Sequence, residues 1–171
     1  MPNKPVIWLS SNLRRECAEE ATRYYDLETG GTLMGYWHGT QTAVVTAMIE
    51  AGPGALHERH SFEPDQEWQL QKIAEHYEAS GRTETYLGDW HSHPNARSGR
   101  LSWTDRGVLR NIISEPKARA PYPIMIVFHG GKREWETTAW VAATRNRRLF
   151  WSKLVIDEVT LRLYEPTVND D

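Results

Sequence analysis

The chain has 171 residues, of which 39% are hydrophobic and 25% are charged, and its net charge is -3. This balance is typical of a globular protein rather than a disordered one, and the length predicts a single domain over residues 1–171. The small negative charge gives no reason to expect nucleic acid as the main partner.

We expect neither a membrane span nor a secretion signal from this sequence. It has no run of about 18 apolar residues, so we expect no membrane span. The first residues, MPNKPVIWLSSN, lack the apolar core of a secretion signal, so we expect a cytoplasmic protein. Cys17 is the single cysteine, which excludes an internal disulfide bond. Its helical spacing from Leu13 and Ala21 predicts a buried apolar side chain rather than a nucleophile.

The first part of the chain predicts a strand, a helix and a hairpin. Residues 6–9 are typical of a short strand, and the polar residues after them can cap a helix over 13–25. Residues 28–39 and 41–51 are rich in β-branched and aromatic residues, which predicts two strands joined by a turn. Residues 52–64 contain glycines and prolines that predict a loop.

The middle of the chain predicts two helices on either side of a strand. Apolar residues recur at helical spacing over 65–80, where Gly81 predicts the end of the helix. Residues 83–93 are typical of a strand, and residues 94–100 form a polar loop. A further helix is predicted over 102–114.

The last part of the chain predicts three strands. Residues 122–130 and 133–143 form a hairpin, and residues 149–164 alternate enough for another strand. We expect a core over residues 6–164 and a flexible tail over 165–171. The mixed order of strands and helices predicts an α/β or α+β fold, in which helices flank a mixed β-sheet.

Two histidines at the end of the predicted strand are the best candidates for metal binding. His91 and His93 are two residues apart, so their side chains point to the same face of the strand. Catalytic zinc usually takes three protein ligands and leaves a fourth position open. Asp105, in the first turn of the next helix, is the best third ligand. Nitrogen ligands with one carboxylate suit zinc better than calcium or magnesium.

The same residues also have a purely structural interpretation. Ser102 and Asp105 have the spacing of a helix capping pair, with a serine at the cap and an acid three residues later. Two histidines alone are often ordinary surface or core residues. The two interpretations are compatible, because a capped helix start is a rigid mount for a ligand.

Glu28 completes a pattern that resembles a known enzyme family. The segment HSHP at 91–94, followed by Ser102 and Asp105, resembles the JAMM (MPN+, JAB1/Mov34) metallopeptidases. That family carries a glutamate before a glycine-rich strand, and Glu28 in ETGGTLMG matches it. The resemblance covers roughly residues 6–143 and implies a JAMM/MPN sandwich of the cytidine-deaminase-like kind.

The loop between the two parts of the motif departs from the family pattern. Residues 94–101 separate His93 from Ser102, which is one residue more than the family has. We expect the loop NARSGR to absorb the extra residue without changing the ligand set. Ser98 is a worse choice for the motif serine, because the residue three positions after it is Leu101.

The resemblance implies a role for each residue of the motif. His91, His93 and Asp105 would bind one catalytic Zn²⁺. Glu28 would take a proton from the attacking water and pass it to the leaving amine. Ser102 would donate a hydrogen bond to the oxyanion of the tetrahedral intermediate.

Five neighbours of the motif are candidates for substrate binding. Packing is the favoured explanation for the tryptophans among them, and a solvated loop is the default explanation for the others. The candidates are Trp90, Asn95, Arg97, Arg100 and Trp103.

The remaining histidines have simpler interpretations. His57, His60 and His76 share no spacing with the pair at 91 and 93, so we expect them at the surface, with His60 near the rim of the site. His129 follows an apolar strand and is expected to cap its end.

The resemblance implies a zinc peptidase or isopeptidase that cleaves after the C-terminal glycine of a ubiquitin-like protein. The compact chain favours a prokaryotic member that removes such a protein from a conjugate, as in the CBASS antiviral defence systems. There the target is a nucleotidyltransferase of the CD-NTase type, and E1- and E2-like enzymes are pathway neighbours. The alternatives are the processing of a ThiS/MoaD-type sulfur-carrier precursor and a non-catalytic MPN scaffold.

Overall fold

A computed structural model describes residues 4–147 and 151–165 of the chain. The elements, in chain order, are β1 (Val6–Ser10), α1 (Ser11–Arg23), β2 (Gly30–His38), β3 (Thr42–Ile49), β4 (Leu56–His57), β5 (Phe62–Glu63), α2 (Gln66–Ala79), β6 (Thr85–Pro94), α3 (Trp103–Ser114), a 3₁₀ turn (Pro116–Ala118), β7 (Ile124–Gly131), β8 (Glu134–Arg147) and β9 (Trp151–Tyr164). Residues 149–150 of the last predicted strand and 166–171 of the predicted tail lie outside the described residues.

Seven of these strands form one mixed sheet that closes into a barrel. Its order is β1-β3-β2-β6-β7-β8-β9, and β9 pairs with β1 to close it. Strand β1 is parallel to β3 and β9, β6 is parallel to β7, and the other pairs are antiparallel. The predicted α/β fold with a mixed sheet is confirmed. The closure is a further finding, because it joins strands from opposite ends of the chain.

The sheet is covered on both faces, with α1 on one and α3 on the other. Trp90 and Phe128 belong to the core cluster that includes Cys17 of α1. Met125 and Val127, whose side chains alternate with Phe128 along β7, belong to the cluster that includes α3. Cys17 is a buried apolar residue, as predicted, and burial raises the pKa of its thiol far above the usual value.

The helices begin at side-chain caps. Ser10 Oγ accepts a hydrogen bond from the amide of Leu13 at 3.1 Å, and Asp65 Oδ1 accepts one from the amide of Trp68 at 3.2 Å. Each cap satisfies an amide that the helix leaves without a backbone partner. No helix among the described residues is long and apolar enough to cross a membrane.

The segment predicted as a loop at 52–64 contains a small hairpin. Strands β4 and β5 pair with each other and form a separate two-stranded sheet. Each strand has two residues, which is too short for an alternating pattern to be visible in the sequence. This hairpin matters for the site, because it contacts the segment that carries Glu28.

Candidate metal centre

Strand β6 and the first turn of α3 bring three potential ligands together. His91 and His93 lie on the same face of β6, and their Nε2 atoms are 2.9 Å apart. Asp105 Oδ1 lies 3.4 Å from His91 Nε2, and Asp105 Oδ2 lies 3.6 Å from His93 Nε2. The cluster is therefore a compact triangle of two nitrogens and a carboxylate, as the sequence predicted.

The dimensions of this triangle fit zinc. Zinc binds nitrogen and oxygen ligands at about 2.0–2.2 Å in a tetrahedron, which places neighbouring ligand atoms about 3.4 Å apart. The two nitrogens are 2.9 Å apart and lie 3.4 and 3.6 Å from the two oxygens of Asp105, so these separations fall on both sides of that value. Three protein ligands leave a fourth position for water or substrate, which is the arrangement of a catalytic zinc site.

The electrostatics favour the protonation states that a metal needs. Burial, with help from the nearby His91, lowers the pKa of His93 to about 4, so its imidazole is neutral at neutral pH. Burial alone would raise the pKa of Asp105, but hydrogen bonds from His91 and Ser102 hold it well below its usual value. A neutral imidazole and an ionised carboxylate are the forms that bind zinc.

Asp105 is at once a candidate ligand and part of a helix cap. Its Oδ2 atom accepts a hydrogen bond from the amide of Ser102 at 2.6 Å, and Ser102 Oγ accepts one from the amide of Asp105 at 3.1 Å. This reciprocal capping box fixes the carboxylate at the start of α3. The Ser102 side chain also helps to keep the pKa of Asp105 low, and its exposed hydroxyl can turn to donate into the space beside the cluster.

Glu28 lies between α1 and β2, half-buried, and its backbone is held from both sides. Its amide donates to the carbonyl of Glu58 at 2.7 Å, and its own carbonyl accepts from His57 Nδ1 at 3.1 Å. The His57 ring stacks on Tyr24 with the ring centres 3.7 Å apart. The prediction that His57 is a surface residue was therefore wrong: it is half-buried and supports the candidate base.

The environment of Glu28 raises its basicity. Burial raises the pKa of its carboxyl group to about 7, against the lowering influence of His91 and with a further rise from Asp105. A carboxylate with a pKa near neutrality is a better proton acceptor than an exposed glutamate. A metal ion in the cluster would add positive charge and lower this pKa.

Ser92 connects the candidate base to the ligand strand. Its side chain is fully buried on the opposite face of β6 from the two histidines. Ser92 Oγ accepts from the amide of Thr29 at 3.0 Å, and its own amide donates to the carbonyl of Thr29 at 2.7 Å. Thr29 directly follows Glu28, so this pair fixes the base relative to the ligands. Strand alternation between His91 and His93 was the signal in the sequence that could have identified Ser92.

The cluster lies in an open cleft of about 950 Å³. The loop of the β4–β5 hairpin forms one wall, and the first two turns of α3 form another. Asp89 also lines the cleft, and burial raises the pKa of its carboxyl group to about 6. Arg100 lines the cleft, and Arg97 lines a neighbouring cavity of about 630 Å³. His60 also lines the cleft, near the position predicted for it.

Trp90 and Asn95 also line the cleft, and Trp103 lies at the start of α3. Trp90 is 1% exposed and its ring packs on Phe128, so packing is its main role. Asn95 is exposed, and its Oδ1 accepts a hydrogen bond from the Tyr25 hydroxyl at 2.5 Å. Trp103 is 83% exposed at the start of α3.

The long loop before α3 is anchored by Gly99. Trp140 Nε1 donates to the carbonyl of Gly99 at 2.9 Å. A Cβ atom at this glycine would lie 2.5 Å from Thr138 Oγ1 and 2.8 Å from His129 Cδ2, so only glycine fits. His129, expected to cap a strand, is instead buried beside this glycine with its Nε2 3.2 Å from Thr138 Oγ1. The extra residue therefore lies in a loop with a fixed end three residues before Ser102.

Replacing Gly99 by alanine should displace Ser102 and Asp105. The added methyl group would overlap Thr138, and relief by backbone movement would shift the start of α3. We expect zinc affinity to fall by about 10–100-fold, and turnover to fall by as much as ~10²-fold. Zinc titration and steady-state kinetics measure the two effects.

Two further variants separate this effect from a general loss of stability. Gly131→Ala is a matched control, because a Cβ there meets no atom within 4 Å. Thr138→Gly in the Gly99→Ala background removes the closest overlapping atoms, so we expect it to restore much of the zinc affinity. An unchanged zinc affinity in Gly99→Ala would contradict the anchoring role.

The chain is similar to known proteins along most of its length. The family described as "Prokaryotic homologs of the JAB domain" matches residues 10–143. A protein of Sinorhizobium fredii, named "Probable metalloprotease y4qB", is 46% identical over 160 residues, which are 94% of this chain and 98% of that protein.

More distant similarities extend the comparison. Proteins of Escherichia coli and Vibrio cholerae, each named "CD-NTase/cGAS isopeptidase", are 33% identical over 89 and 88 residues, which are 52% of this chain and 56% of each of those proteins. The solution structure of protein DSY2949 from Desulfitobacterium hafniense has a TM-score of 0.68 and 18% identity. It covers 96% of this chain and 97% of that one, so the fold is shared.

Proposed function

This chain belongs to the prokaryotic homologs of the JAB domain, and on that premise we propose that it is a zinc-dependent peptidase or isopeptidase. Its substrate would be a ubiquitin-like protein, cleaved after its C-terminal glycine. The observation that carries the proposal is the triangle of His91, His93 and Asp105 beside a half-buried Glu28. A ligand set with an adjacent base that is not itself a ligand is what metal-assisted hydrolysis requires.

The residues of the site divide the chemistry between them. Zinc held by His91, His93 and Asp105 would supply Lewis acidity, which polarises the scissile carbonyl and acidifies water. Glu28 would accept the proton of the attacking water and then transfer it to the departing amine. The hydroxyl of Ser102 would donate a hydrogen bond to the oxyanion of the tetrahedral intermediate.

The open cleft suits a protein substrate better than a small molecule. One wall is a short hairpin and another is the start of α3, so an extended tail can enter from solvent. A glycine-ended tail has no side chain at the cleavage point, which allows its backbone to approach the cluster closely. Backbone hydrogen bonds to a strand or loop would then fix the tail.

Removal of a ubiquitin-like protein from a conjugate is the favoured form of this activity. The similarity to two proteins named as CD-NTase/cGAS isopeptidases supports a conjugate as substrate, with a nucleotidyltransferase of that type as the attached target. E1- and E2-like enzymes would then act before this protein, because they form the bond that it cleaves.

The proposal is tested with zinc-loaded protein and fusions of prokaryotic ubiquitin-like proteins to a short tail after the terminal glycine. We expect one zinc per chain by elemental analysis, and cleavage after the glycine by mass spectrometry. A non-catalytic scaffold would bind no stoichiometric zinc. Zinc-loaded protein that cleaves neither fusions nor lysine-linked conjugates from several such partners would contradict the proposal.

Ser102 allows its two roles to be separated by a pair of substitutions. Ser102→Ala removes both the hydroxyl donor and the helix cap, which costs ~1 kcal/mol of stability. Ser102→Gly removes the same donor, but glycine is itself an acceptable cap residue and costs only a few tenths of that. We expect kcat to fall by ~10²–10³ in both variants, because each lacks the oxyanion donor.

Thermal unfolding and kcat, measured side by side, distinguish the roles. Only Ser102→Ala should show a clear fall in the melting temperature. If Ser102→Gly retains the wild-type kcat, the hydroxyl acts as a cap alone and the assignment of the oxyanion donor is wrong.

A further inference from the structure

One side of α3 is unusually basic and apolar for a surface next to a candidate catalytic cleft. Trp103, Arg106, Gly107 and Arg110 are spaced three, four and seven residues along the helix, so they share one side of it. We call these four residues the α3 basic face. Trp103 is 83% exposed, Arg106 is half-buried and Arg110 is exposed.

The arginines of this face have no acidic partner among the described residues. Between residues 97 and 110 the chain carries four arginines and a single acid, Asp105, whose carboxylate faces His91 and His93. Within the part of the chain that the structure describes, no carboxylate lies at ion-pair distance from either Arg106 or Arg110. Their positive charge is therefore available to a partner.

Gly107 leaves an open place at the centre of the face. A Cβ atom there would meet no atom within 4 Å, so packing inside the protein gives no reason for a glycine. Glycine in a helix interior is less stable than alanine. The missing side chain lets a second polypeptide backbone come close to the helix, between the tryptophan and the arginines.

The face is continuous with the candidate active site. Thr104, Asp105 and Val108, on the neighbouring side of the same helix, line the cleft. A molecule whose reacting bond lies at the cluster would therefore extend over the α3 basic face. The face is about 10 Å long, from the helical rise over seven residues, which matches about three residues of an extended chain.

We propose that the α3 basic face docks an acidic, extended segment of the protein whose bond is cleaved in the cleft, an inference that rests on the proposed peptidase function. Carboxylates of that segment pair with Arg106 and Arg110, since a guanidinium binds a carboxylate through two parallel hydrogen bonds. An apolar side chain of the segment covers Trp103. The shortness of the face favours an acidic polypeptide over nucleic acid, whose binding depends on contacts to many phosphates.

The test measures binding separately from turnover. The full chain carrying Glu28→Gln is titrated, by fluorescence anisotropy, into labelled probes of about ten units each. The probes are a peptide of aspartate and glutamate with one central leucine, the matching peptide of asparagine and glutamine, and oligothymidylate. We expect the acidic peptide to bind most tightly, and its binding to weaken as salt rises toward about 0.15 M.

Variants of the face should act on this binding in different ways. R106E/R110E should lower the affinity for the acidic peptide at least tenfold, and Trp103→Ala should lower it several-fold. Gly107→Ala should raise the melting temperature and lower the affinity for the peptide. If Gly107 had no role in binding, the same substitution would leave that affinity unchanged. R15E/R82E changes the net charge equally at exposed positions on other elements, so it should leave binding unchanged.

Each other outcome overturns the proposal. It fails if the acidic peptide does not bind, if R106E/R110E binds it as the parent protein does, or if the neutral peptide or oligothymidylate binds as tightly. Failure of the proposed function gives a different pattern. In that case zinc-loaded wild-type protein cleaves no glycine-ended fusion. The acidic peptide still binds, and R106E/R110E still lowers its affinity.

Discussion

Glu28→Gln should retain zinc and lose ~10²–10⁴-fold in kcat, the contribution expected of a general acid–base residue. Glutamine has the shape of glutamate but cannot accept a proton at neutral pH. The backbone contacts that hold position 28 come from Glu58 and His57, and they do not involve the substituted side chain. Zinc content by elemental analysis and kcat on a glycine-ended fusion measure the two properties.

A matched control makes this result specific. Glu19, on α1, has a side chain that is 67% exposed, so Glu19→Gln removes the same charge far from the cleft and should leave kcat unchanged. A Glu28→Gln variant that cleaves at the wild-type rate would show that another group accepts the proton. Loss of zinc from the same variant would show instead that Glu28 is a ligand.

His91→Ala should lose zinc and activity together. His91 Nε2 is 2.9 Å from His93 Nε2 and 3.4 Å from Asp105, so its loss removes one corner of the triangle and leaves two ligands. We expect zinc affinity to fall by more than ~10²-fold and cleavage to fall to background. Zinc should stabilise the wild type by about 2.7 kcal/mol at a hundredfold excess over Kd, and His91→Ala by almost nothing.

Thermal unfolding with and without zinc measures this difference directly. His38 is exposed at the end of β2, so His38→Ala is the matched control and should keep the full stabilisation by zinc. If His91→Ala is stabilised by zinc as strongly as the wild type, the metal lies elsewhere. The ligand set would then be wrong, whatever the fate of the activity.

Local patterns predicted the parts of the fold that depend on neighbours in sequence. The hairpin of β2 and β3 followed from β-branched residues on either side of a turn near Gly39, and α2 followed from its periodicity and from Gly81 as its end. The closure of the barrel was not predicted. Its cause is the pairing of Val6 with Thr160, and no local pattern in the sequence encodes that contact.

Local patterns likewise predicted some features of the candidate site and missed others. The position of His91 and His93 on one face follows from strand alternation, and the cap formed by Ser102 and Asp105 follows from their spacing. The support of Glu28 by His57 was missed, because the two residues are 29 positions apart and neither carries a pattern that points to the other. Such contacts appear only when the chain is folded.

Gly99 divides the motif into parts that differ in their tolerance of insertions during evolution. Upstream of it, residues 95–98 are a surface loop, where an added residue leaves both the strand and the helix in place. Downstream, Leu101 is buried against α3, so an insertion there would move Asp105 relative to the histidines. Length variation in relatives of this protein should therefore fall before the glycine, and the stretch from Gly99 to Asp105 should keep a constant length.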